Sequence, residues 1–82
     1  MTVQEAKKAI INSIVKITEP DVDVTEETEV VHGLGLPSVE VLMLLGELED
    51  IYDVELSPKV VEHVKTVGEL CDVIISQLRG QS

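Results

Sequence analysis

Apolar side chains in this chain return at steps of three and four residues, and no stretch alternates at a step of two for the length of a strand. That rhythm restricts the fold to helices, each burying one stripe against the others. Val3, Ala6, Ile10, Ile14 and Ile17 form the first stripe. Thr2 and, three residues on, Glu5 make a capping box, in which each side chain satisfies a backbone N–H that the first turn leaves unpaired. A first helix is predicted at about residues 3–17, ended at Glu19-Pro20 because proline disfavours helical geometry in the residue before it. A second is predicted at about 37–52. Ser57-Pro58 opens a short third helix to about Val64, weakened by its valines. Thr66 and Glu69 form another capping box, and behind it Val67, Leu70, Cys71, Ile74 and Leu78 keep the period, giving a fourth helix at about 66–79. The expected architecture is therefore all-α, a four-helix bundle in a single domain spanning residues 1–82. Its first connection, from Thr18 to about Leu36, is an acidic loop anchored by Val22, Val24, Val30, Val31 and Leu34. So long a connection implies a functional segment or a short turn of helix that the pattern does not reveal.

Size narrows the function. A chain of 82 residues buries only roughly 60–65% of its unfolded surface, too little for a deep, water-free catalytic pocket. Its one aromatic residue is Tyr52, so the core must be aliphatic. The single Cys71 excludes an internal disulfide, and its place on the fourth stripe predicts a buried, inert thiol. With no basic and apolar leader at the N-terminus, the expected setting is the reducing cytoplasm. No uncharged run is long enough to span a membrane. The net charge of −10 disfavours nucleic acid and anionic lipid and favours basic partners. Between Thr18 and Ser57 there is no Lys or Arg at all. Nothing in the pattern calls for oligomerisation, and a monomer is expected.

Projected at roughly 100° per residue, Val41, Leu44, Leu45, Leu48, Ile51 and Tyr52 share one arc of the second helix and form its expected core face. Val39, Leu42 and Met43 fall outside that arc, among Glu40, Glu47, Glu49 and Asp50. The acidic loop could cover them. An apolar cluster rimmed by charge of one sign is also what a transient protein partner grips, and that reading is favoured here. Gly46 lies on the same side, where a glycine costs helix stability and permits close approach.

The helix begins at GLGLPSVEV, residues 33–41, with Ser38 at its start. As a nucleophile Ser38 lacks a G-x-S-x-G turn and a preceding strand, and only His32 and His63 could serve as bases. A dinucleotide loop would need a third glycine where Ser38 stands, and no Walker lysine follows. A calcium loop starting at Asp21 would have Glu26 in place of its glycine and His32 in place of its glutamate. Cys71 with His63 or His32 has no zinc-ligand spacing. Two readings survive. Ser38 is a helix cap, or it is a hydroxyl displayed for attachment of an anionic group, which the free N–H groups and positive end of a helix stabilise.

The segment from about Val30 to Ile75, with LGLPSVEVLMLLGELEDIYDVEL at its centre and KTVGELCDVI near its end, resembles acyl carrier proteins. Members of that family are four-helix bundles with 4′-phosphopantetheine, taken from coenzyme A, on the serine of an Asp-Ser-Leu motif at the start of the second helix. The resemblance implies that Ser38 is the attachment point and that the arm's thiol holds acyl groups as thioesters. It implies a phosphopantetheinyl transferase as partner, together with acyl-transferring, condensing or modifying enzymes of lipid, polyketide or related biosynthesis. Their basic patches would meet Glu40, Glu47, Glu49 and Asp50, with Val39, Leu42 and Met43 as the apolar part of the contact. The interior formed by Val41, Leu44, Leu45, Leu48, Ile74 and Leu78 is then expected to sequester part of an acyl chain. The chain departs from the family pattern at Pro37 and Val39, which flank the serine, at Gly33 where an acidic residue is common, and at Met43 where many members carry glutamate. These departures point to a dedicated carrier that performs no chemistry itself. The competing reading is an interaction module with the same fold and no arm; a small hydrolase using Ser38 is a third.

Overall fold

A computed structural model describes residues 2–35 and 37–80, with Ser38 described through its backbone alone. Three α-helices account for the regular structure of the described residues: α1 (Val3–Thr18), α2 (Ser38–Tyr52) and α3 (Val67–Gly80). All agree with the apolar periodicity to within about one residue.

Both capping boxes form. Thr2 Oγ1 accepts from the Glu5 N–H at 3.1 Å while Glu5 Oε1 accepts from the Thr2 N–H at 3.2 Å. At α3, Glu69 Oε1 accepts from the Thr66 N–H at 3.0 Å and Thr66 Oγ1 accepts from the Glu69 N–H at 3.2 Å. The backbone donors of Thr66 and Lys65 hold the Glu69 carboxyl below its ordinary range. α1 closes on Glu19, which enters the left-handed region at φ 45° immediately before Pro20 and donates its N–H to the Val15 carbonyl.

The expected third helix is a correction. Residues 58–63 are a run of turns, held by Val60 and Val61 N–H bonds to the Ser57 carbonyl and one from Val64 to Val61. Val60, Val61 and Val64 lose side-chain freedom in a helix, and a segment this short cannot recover the cost of nucleation from its own hydrogen bonds. The described architecture is therefore three helices and a turn segment.

Ile10 and Ile14 of α1, Leu44, Leu45 and Leu48 of α2, and Val67, Leu70, Cys71, Ile74 and Ile75 of α3 form one aliphatic core with Val30, Leu34, Val54 and Leu56 from the connections. α1 packs mainly on α3 and secondly on α2. Tyr52, half-buried, ties α2 to α1 through a 2.8 Å hydrogen bond between its hydroxyl and Ser13 Oγ. Cys71 is fully buried, as expected, and burial pushes its thiol up to about 11. Three residues of the expected buried stripes are not core. Val3 is 40% exposed, Ile51 55% and Leu78 38%, each near an end of its helix.

The first connection is pinned by backbone bonds. Val30 N–H donates to the Lys65 carbonyl, Val67 N–H to Thr28 and Gly68 N–H to Glu26, each at 2.8 Å, so that residues 26–30 run along the entry to α3. Lys7 adds a side-chain clasp, its Nζ 2.8 Å from Glu26 Oε1 and 3.5 Å from Asp72 Oδ1, and the Glu26 bond chiefly raises its pKa. Val30 and Leu34 anchor as expected, whereas Val22 and Val31 are exposed. A single tight turn at 29–34, in which Gly33 and Leu34 donate to the Glu29 carbonyl, sets Leu34 into the core. It leaves no room for a side chain at Gly33: a Cβ there would lie 2.6 Å from the Glu29 oxygen and 2.7 Å from Thr28 Cγ2. Gly33→Ala is expected to lower the unfolding free energy by about 1–3 kcal/mol in a denaturant titration, the usual cost of forcing backbone apart.

Candidate prosthetic-group site

Position 38 follows from the chain on either side of it. Gly35 takes φ 66°, a left-handed conformation suited to glycine, directly after the 29–34 turn. Pro37, at φ −62° and ψ 156°, is the N-cap of α2, and its carbonyl accepts the Val41 N–H at 3.1 Å. Ser38 is thus the first helical residue rather than the cap, and the cap reading of this serine is set aside. Among the described residues no side chain caps α2, in contrast to the boxes on α1 and α3. The first-turn N–H groups of α2 accordingly keep the positive end of the helix for an external anion. Gly35, Pro37, Val39 and Glu40 are all exposed. A hydroxyl residue at the first helical position, an uncapped helix end and an open surround fit a phosphodiester-linked arm. The Ser38 side chain itself lies outside the described residues.

Val39, Leu42 and Met43, which the helical projection sets apart from the core, are 67%, 53% and 64% exposed. Glu40, Glu47 and Asp50 are exposed with them. Glu49 differs. It is half-buried, and its Oε2 accepts the Leu56 N–H at 2.7 Å, which fixes the connection leaving α2. Glu49→Ala should cost about 1–2 kcal/mol of stability by denaturant titration, because the partly buried Leu56 N–H loses its acceptor, whereas Asp50→Ala should be near neutral. Gln77 holds the same connection from α3: its Oε1 accepts the Glu55 N–H at 2.7 Å and its Nε2 donates to the Glu55 carbonyl at 2.6 Å. Neither clasp is legible from residue type, since both join positions distant in sequence.

A cavity of about 370 Å³ opens beside α2, lined by Val41, Leu42 and Leu45, by Val30 and Val31 of the first connection, by Pro58, Val61, Glu62 and Val64 of the turn segment, and by Leu70. Of the six residues expected to sequester an acyl chain, only Val41 and Leu45 line it. Leu44, Leu48 and Ile74 are sealed in the core, and Leu78 is at the far end of α3. Val61 and Val64 were legible only as part of a weak helix, so their place in a cavity wall had no sequence signal. Among the described residues no group of His, Cys, Asp and Glu is arranged to hold a metal ion, and no helix is long and apolar enough to cross a membrane.

The family model described as the phosphopantetheine attachment site matches residues 8–74. The chain belongs to the acyl carrier protein family. The acyl carrier protein of Amoebophilus asiaticus is 28% identical over 75 residues, covering 90% of this chain and 94% of that protein. That of Coprothermobacter proteolyticus is 28% identical over 75 residues, covering 92% and 88%. The mitochondrial acyl carrier protein of Saccharomyces cerevisiae is 34% identical over 53 residues, covering 65% of this chain and 42% of the yeast protein. No solved structure matches significantly. As a member of that family the chain carries 4′-phosphopantetheine as a covalent prosthetic group and is a carrier, not a catalyst. The tight contact at Gly33 gives a physical reason for one departure from the family pattern: an acidic side chain cannot enter the 29–34 turn as it is built.

Proposed function

We propose that Ser38 is the attachment point of the 4′-phosphopantetheine arm, and that residues 1–82 act as a single, monomeric carrier domain in the cytoplasm. The arm, when attached, supplies a thiol that carries acyl groups as thioesters between enzymes of lipid, polyketide or related biosynthesis. A phosphopantetheinyl transferase installs it. Glu40, Glu47 and Asp50 present the negative charge that basic patches on the partner enzymes meet, with Glu49 at the margin, and Val39, Leu42 and Met43 supply the apolar contact.

One observation supports this reading above the others. Val41, Leu42 and Leu45, the α2 residues that line the 370 Å³ cavity, follow position 38 by three, four and seven residues. Those are the spacings that keep side chains on one face of a helix. A chain anchored at position 38 and turned along α2 meets an aliphatic cavity within about two turns. Its wall is wholly aliphatic apart from Glu62, so burying an acyl chain there gains about 0.8 kcal/mol for each methylene removed from water.

Incubation with coenzyme A and a panel of phosphopantetheinyl transferases, followed by intact mass, tests the proposal. One phosphopantetheine per chain is expected from at least one transferase. Pro37 and Val39 replace the residues that usually flank the serine, so the transferase that succeeds is expected to be selective. No addition from any of them contradicts the reading.

A further inference from the structure

Every residue lining the cavity beside α2 is aliphatic or proline except one. Glu62, in the turn segment, is the one charged residue of the lining, and its side chain is 58% exposed. Its Oε1 lies 3.3 Å from the Nε2 of His63, on an imidazole that is 92% exposed and does not line the cavity. Lys59 and Lys65 flank the segment in sequence, but neither lines the cavity, and among the described residues the wall offers no side-chain cation or hydrogen-bond donor. Such a wall accepts hydrocarbon. It gives nothing to a carboxylate, and its one charged residue carries a charge of the same sign.

We infer that Glu62 is a specificity-determining residue of the carrier, which excludes acyl groups ending in a carboxylate from the cavity and leaves it to chains with an uncharged alkyl end. The inference rests on the reading of Ser38 as the attachment point and says which cargo that site shelters. Two effects reinforce each other. Desolvating a second carboxylate against aliphatic walls is unfavourable by itself. The Glu62 charge adds a repulsion that solvent weakens, because its side chain is 58% exposed. A cargo excluded from the cavity leaves its thioester and its end group in solvent, open to the next enzyme and to hydrolysis. A sheltered alkyl chain must first be drawn out.

The test does not depend on any transferase. Ser38→Cys in the full chain is coupled by thiol–disulfide exchange with the 2-pyridyl mixed disulfide of hexanethiol, 6-mercaptohexanoate or 6-aminohexanethiol, the introduced thiolate displacing pyridine-2-thione. Cys71 does not compete, being fully buried with its thiol pushed up to about 11. The methyl resonances of Val41, Leu45, Val61 and Val64 then report how much of each chain is seated. The hexyl chain is expected to seat and the carboxylate-ended chain to stay out. Glu62→Gln should raise the seated fraction of the carboxylate-ended chain about two- to fivefold, lower that of the ammonium-ended chain by a similar factor, and leave the hexyl chain unchanged, the size expected for a partly exposed charge pair. The inference is overturned if the substitution moves all three chains alike, if it moves none, or if the hexyl chain does not seat. The coupling bypasses the native arm, so this outcome is separate from whether Ser38 is modified by a transferase. A coupled protein insensitive to Glu62 fails the inference alone, and an unmodified native protein fails the functional reading alone.

Discussion

Leu48→Ala should lower the unfolding free energy by about 2–5 kcal/mol, while Leu42→Ala, six residues earlier on the same helix, should change it by less than about 1 kcal/mol. The two side chains have the same volume and opposite surroundings. Leu48 is 0% exposed within the aliphatic core, and Leu42 is 53% exposed at the cavity mouth. Truncation at Leu48 removes the transfer free energy of three carbons and leaves a void that rigid neighbours fill only in part. The core has no aromatic ring to lean into that space, since Tyr52 is held at its edge by Ser13. Domains of this size are stable by roughly 5–15 kcal/mol, so the Leu48 variant should show a much lower thermal midpoint by circular dichroism and a measurable unfolded fraction near physiological temperature. Equal losses at the two sites would mean that the buried face of α2 is assigned wrongly, and with it the exposed docking surface.

The second large effect concerns chemistry and not stability. Ser38→Ala should abolish all transfer of phosphopantetheine while leaving the helical spectrum and thermal midpoint close to those of the parent. Alanine has the highest helix propensity, and position 38 is the first residue of α2, where the serine is not the cap and its N–H is one of those the helix leaves unpaired in any case. The only group removed is the hydroxyl that would form the phosphodiester. Ser13 offers no substitute, since its Oγ is occupied by the Ala9 carbonyl and the Tyr52 hydroxyl. Residual modification of Ser38→Ala would move the attachment point elsewhere.

What was legible in the sequence was mostly local. Thr2 with Glu5 and Thr66 with Glu69 announced two helix starts because a capping box involves residues only three apart. The side of α2 that faces outward was legible at Val39, Leu42 and Met43, because the helical period fixes direction. Ile51 shows the limit of that argument. Projection gives the side on which a residue lies but not whether a neighbouring element reaches that height, and at the last turn of α2 none does. The short third helix was over-read from a serine-proline start, because the cost of three β-branched valines in so brief a segment outweighed the start signal. The pairing of residues 26–30 with 65–68 and the clasps of Glu49 and Gln77 join positions far apart in the chain, and no period marks them. The cavity was expected in the wrong place for the same reason. Its far wall comes from the turn segment and the first connection, neither of which has a repeating pattern.

The central claim is that the residue at position 38 bears the arm in the working protein. Peptide mapping by mass spectrometry of the protein purified from its native host addresses it most directly. The account predicts a fraction of molecules with one phosphopantetheine, or an acylated form of it, on the peptide containing Ser38 and on no other. Protein that is uniformly unmodified under growth conditions that engage the pathway, or that bears the group on a different residue, would contradict it.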